Sequence, residues 1–161
     1  MSHAATLTIA ALLATAMPAV ANDVAEKARA GFADLSTMVV ELSGASLSER
    51  WCHGTTCEAV VGDGTGLLRL WHRPDGKFVR ADALGFTVAE SDAWSATCQA
   101  VIAYVAGIDA LEASGVLASL LVELASTPDR VDGKYFGTFV IISASTAGER
   151  PECRAGRPIP G

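Results

Sequence analysis

The chain has 161 residues, half of them hydrophobic, and carries 18 Asp and Glu against 12 Lys and Arg for a formal net charge of −6. That length suits one domain. An acidic chain whose cations are scattered rather than clustered lacks the electrostatic footprint of a nucleic-acid or anionic-lipid binder.

Residues 7–17 form an apolar and small run without charge, too short to span a bilayer. Pro18 is expected to break it, and Ala19-Val20-Ala21 supplies the small-x-small pattern ahead of polar Asn22-Asp23. Residues 1–21 therefore read as a secretion signal cut after Ala21, which places the remaining 140 residues in the periplasm or outside the cell. No later segment is long and apolar enough to cross a membrane; residues 116–125 come nearest, at about half the required length and interrupted by Glu123.

After the cut, residues 23–36 predict a helix, with Val24, Ala28, Phe32 and Leu35 on one stripe and Asp23 as its cap. Residues 38–43 predict a strand from β-branched content and alternation, with Val40 and Leu42 inward. Short strands follow at 58–61, 67–71 and 77–80, separated by Gly62-Asp63-Gly64-Thr65-Gly66 and by Pro74-Asp75-Gly76, both hairpin punctuation. Residues 86–88 add a further short strand. Ser91 and Asp92 open a helix with Trp94, Cys98, Val101, Ile102 and Val105 on one face, and Asp109 with Glu112 gives a capping box for the next. In that second helix Leu117, Leu120, Leu121 and Leu124 make the stripe, ending before Pro128. Residues 134–143 read as one inner strand, apolar at 139–142 and covered on both faces. From Ala147 onward turn formers and charge occur without an apolar period, so residues 147–161 are expected to be a loose tail tethered at Cys153. The order implies a single α+β domain over 22–146: a mostly antiparallel sheet, built as a short-strand meander, packed by an N-terminal helix and two central helices.

Four cysteines, Cys52, Cys57, Cys98 and Cys153, survive the cut, and an even number in an exported chain implies two disulfides. Of three possible connectivities, Cys52–Cys57 and Cys98–Cys153 is preferred, because Gly54-Thr55-Thr56 lets the chain double back between the first two. In the chain-entropy view the short bridge contributes about 2 kcal/mol and the long one about 4 kcal/mol.

Two segments concentrate chemistry. The first, Trp51 to Cys57, holds an aromatic ring, His53 and two sulfurs; its spacing fits neither haem attachment nor a thioredoxin-like pair. Reduced, these cysteines with His53 and His72 have the donor set of a zinc or copper site; export favours the disulfide. The second, Trp71-His72-Arg73-Pro74-Asp75-Gly76, offers a ring, an imidazole and a guanidinium at a hairpin tip. It suits a carboxylate or sugar held against Trp71 with Arg73 donating, or else a plain turn with His72 and Arg73 as solvated shoulders. No nucleophile elbow, zinc-protease helix or phosphate loop occurs, and Asp82, Glu90 and Asp92 are carboxylates that nothing in the sequence distinguishes.

No catalytic residue, metal site or cofactor is assigned. The candidate ligand-binding residues are Trp51, His53, Trp71, His72, Arg73 and Asp75. The expectation is a non-catalytic exported domain that binds a protein, a peptide or a small molecule, and the alternative is a metal-handling protein or small hydrolase built on His53, His72 and the Cys52/Cys57 loop.

Overall fold

Phe32, Leu35, Val39 and Leu42 recur at spacings of three and four, and this stripe carries the first helix well past the segment whose β-branched content suggests a strand. In the computed structural model, which describes residues 7–127, 129–143 and 149–160 and side chains from residue 22 onward, helix α1 runs over Leu7–Ser43. Pro18 does not break it; a proline inside a helix forfeits one backbone bond and is carried here within a continuous run. The expected strand at 38–43 is therefore corrected to helix: Val39 is fully buried and Val40 is 38% exposed, the reverse of the strand assignment. Gly44 at φ 67° ends α1, its N–H donating to the Val40 carbonyl at 2.9 Å.

A meander follows: β1 (Leu47–His53), β2 (Thr56–Val61), β3 (Leu67–His72) and β4 (Phe78–Leu84), all antiparallel. Strand β1 has no counterpart in the sequence reading, because it is a polar, mostly exposed edge, the composition by which natural sheets protect an open edge. The strand expected at 86–88 is instead a 3₁₀ turn over Val88–Glu90, with Thr87 bridging only to Glu149. Helix α2 (Ser91–Ala106) stops at Gly107 in the left-handed region, and α3 (Ala110–Leu124) opens on the expected Asp109/Glu112 capping box.

The chain then returns as β5 (Arg130–Tyr135), β6 (Thr138–Ser143) and β7 (Glu152–Pro158), completing a seven-stranded sheet in the order β1-β2-β3-β4-β7-β6-β5. Residues 134–143 are thus not one strand but most of a hairpin that turns at Phe136 and Gly137, both at positive φ. Strand β6 is covered on one face only: Val140 and Ile142 are buried, whereas Phe139 is 48% exposed. The loose tail is also corrected. Residues 152–158 form β7, paired with β4 on one side and β6 on the other, while 144–148 lie outside the described residues. Its inward positions are Cys153 and Ala155 because α2 packs directly on it, and a side chain at Gly156 would run into the Phe78 ring. Small residues fit that close approach and leave no hydrophobic period to read.

The three helices lie on one face of the sheet, where Leu35, Val39, Leu68, Leu70, Trp94, Val101, Ile102, Leu120 and Ile142 form a shared core. Cys98–Cys153 crosses that core from α2 to β7, and Cys52–Cys57 joins directly opposed residues of the β1–β2 hairpin, Cα atoms 4.1 Å apart. The result is an α+β fold with a mostly antiparallel sheet and both expected disulfides.

Candidate functional site

Successive strand residues point to opposite faces, so the register that buries Cys57, Leu70, Ala81 and Ala155 under the helices lines up a second set on the uncovered face. One row there is Glu58, Arg69, Asp82 and Arg154, alternating in charge across β2, β3, β4 and β7. The next is Thr56, Trp71, Arg80, Gly156, Phe139 and Lys134. Opposite charges thus stand side by side on neighbouring strands of this face.

Within these rows Thr56, Glu58, Arg69, Trp71 and Arg80 line a shallow depression of about 320 Å³. Arg69 pairs with Glu58. The Arg80 guanidinium lies 5.9 Å from the Trp71 ring centre and donates from Nη2 and Nε to Asp82 Oδ2 at 2.9 and 3.2 Å. Phe78 flanks Trp71 with ring centres 6.1 Å apart. Asp82 is fully buried beneath this layer, and its Oδ1 has no hydrogen-bond partner among the described residues. Burial pushes its carboxyl pKa up, against the opposing pull of Arg80, Arg154 and Arg69. The depression thus offers an aromatic surface edged by one hydroxyl and by two guanidinium groups, Arg69 paired with Glu58 and Arg80 with Asp82, so that only the N–H groups these carboxylates leave over can hold a planar or acidic group. No His, Cys or Ser lines it, and its one carboxylate is ion-paired.

The structure divides the sequence candidates between two faces. Trp51 and His53 are exposed on β1, Trp51 opposite Glu58 and His53 opposite Thr56, so both border the depression that Trp71 occupies. His72 points the other way and is only 7% exposed, which corrects the reading of it as a solvated shoulder: in a strand the neighbour of an outward Trp71 must face inward. Arg73 and Asp75 pair within the turn at 2.7 Å, and this bond holds the Asp75 carboxyl below its usual range, so Arg73 is committed away from Trp71. The donor beside Trp71 is Arg80 instead. His53 and His72 lie on opposite faces and all four cysteines are in disulfides, so the donor set envisaged for a metal or hydrolytic centre does not assemble.

Thr56, Glu58, Arg69 and Arg80 escaped the sequence reading. The available clue was alternation: Glu58, Arg69 and Arg80 each stand between apolar inward residues of a strand, the pattern of an outward row. Comparison of the chain with protein-family models, curated proteins and solved structures gives no match in any of the three.

Proposed function

We propose that this protein is exported, processed after Ala21, and serves as a non-catalytic binding domain that takes an acidic peptide segment on the uncovered face of its sheet. The observation that carries this reading is the cluster of Trp71, Arg80 and Arg69 around a depression on a face that no helix among the described residues covers. The N–H groups of Arg80 and Arg69 that Asp82 and Glu58 do not engage can donate to a carboxylate, and the neighbouring Trp71 ring gives an extended segment an apolar surface to lie on. Exposed Trp51, His53 and Phe139 extend that surface to either side of the depression. Export is supported by the disulfide pair, one of them inside the core, since such bonds persist in oxidising compartments.

The test is peptide selection. Protein recovered from an exporting host is immobilised and challenged with a random hexapeptide pool, and the retained fraction is sequenced by mass spectrometry. Enrichment of Asp- and Glu-containing peptides by the wild type, lost in Trp71→Ala/Arg80→Ala, supports the reading. Equal retention by wild type and variant overturns it. The mass of the recovered protein checks processing at the same time: a chain beginning at Asn22 is expected, and a full-length chain contradicts the export part.

A further inference from the structure

On the opposite face of the molecule the middle of α1, the turn after β3 and residues 159–160 enclose a cleft of about 400 Å³, lined by Asp23, Val24, Lys27, His72, Asp75, Gly76, Lys77, Ile159 and Pro160. It is separate from the depression described above and shares no residue with it. His72 is more than nine-tenths buried in its wall, and Nε2 has no hydrogen-bond partner among the described residues, although buried polar groups in folded proteins are nearly always paired.

The charges around the cleft decide what satisfies that nitrogen. Both oxygens of Asp75 are taken by Arg73, at 2.7 Å each, and Oδ1 also accepts the Lys77 backbone N–H at 2.9 Å. Asp23 is paired with Lys27 at 2.8 Å. The Lys77 ammonium has no ion pair among the described residues. The acidic groups are therefore occupied while one ammonium and one imidazole nitrogen are open, beside an apolar wall of Val24, Ile159 and Pro160.

We propose that this cleft is a second binding site, which takes a small aliphatic carboxylate with His72 Nε2 and Lys77 as its polar partners and its hydrocarbon chain against Val24, Ile159 and Pro160. A carboxylate accepts from the Nε2–H of a neutral His72 and binds the imidazolium more tightly, because the charged ring adds an ion pair. Burial first, and Lys27 second, lower the His72 pKa in the free protein. The other charged groups around the cleft are Asp23 and Lys27 on α1 and Asp75 and Lys77 on the turn. Affinity consequently falls as pH rises above the free His72 pKa, by up to about tenfold per pH unit, until the pKa of the complex is passed.

The experiment is histidine-ring NMR on the exported protein, with sodium butyrate as probe and butylammonium chloride as the cationic control. A saturable shift of the His72 ring, weaker at pH 7.5 than at pH 6.5 and without a matching change at His53, is expected. Affinity should drop about tenfold or more in His72→Gln and in Lys77→Met. Lys77 is exposed, so the second variant keeps the fold and decides the matter alone if His72→Gln does not fold. No saturable shift, an equal shift with butylammonium, or affinity unchanged in Lys77→Met overturns the proposal.

Discussion

Asp82 and Glu90 are both carboxylates that the sequence leaves undistinguished, and their surroundings give them opposite roles. Asp82 is buried under arginines, so its folded pKa lies above the ordinary 3.8, with burial as the main cause. A raised pKa means the fold prefers the protonated form: that contribution is complete below the unfolded value and is lost as pH rises through the folded one. Asp82→Asn, which keeps an acceptor for Arg80, should therefore melt higher than the wild type at pH 7, and the gap should close toward pH 3; a lower melting temperature at pH 7 would contradict this. Glu90 is the reverse case. Its carboxylate accepts from the Thr65 and Gly66 backbone through Oε1 and from Thr87 N–H and hydroxyl through Oε2, and these bonds, the Thr87 hydroxyl foremost, pull its pKa down from 4.5 to about 2. The stability it provides is present above 4.5 and is lost as pH falls toward 2. Because the group is partly solvated, Glu90→Gln should cost about 1–2 kcal/mol at pH 7 and nothing near pH 2, measured by urea unfolding at both pH values. Gly64 has no room for a side chain beside that carboxylate, so the glycine-rich loop is a socket for Glu90.

At the scale of elements, β7 organises the sheet. It fills the gap between the meander and the β5–β6 hairpin and is bonded to α2 through Cys98–Cys153. Ending the chain at residue 148 should abolish cooperative unfolding, whereas a dispensable tail would leave it intact. The two disulfides should differ as their loops do: Cys98→Ser/Cys153→Ser loses about 4 kcal/mol and Cys52→Ser/Cys57→Ser about 2 kcal/mol in guanidinium unfolding, and the opposite order would refute the entropic account. What was legible follows from side-chain size and local chemistry. The capping box at Asp109, the hairpins around Gly62–Gly66 and Pro74–Gly76, and the cysteine pairing all rest on residues whose meaning is local. Strand β7 was not legible because its inward residues are Cys153 and Ala155, kept small by α2. The β5–β6 turn was hidden because Phe136 occupies a left-handed position that usually signals itself with Asn or Asp. At residues 38–43 the helical stripe outweighed β propensity, as burial commonly does. The site was half legible: Trp51, His53 and Trp71 do share a face, but the cations that complete it come from β3 and β4, and pairing across strands is invisible in one sequence.

Among the described residues one face of the sheet is sealed by three helices and the other is left open, and the open face is the one proposed to bind a peptide. The molecule's three tryptophans report on three places: Trp71 in the depression, Trp51 at the edge beside it, and Trp94 buried in the core with Arg150 4.6 Å from its ring centre. Adding a selected acidic hexapeptide to the labelled exported protein and following the three indole N–H resonances separates these regions in a single titration. A saturable shift is expected that is largest at Trp71, smaller at Trp51 and absent at Trp94; a shift confined to Trp94, or no shift at Trp71 while the peptide is bound, would contradict peptide binding on the open face.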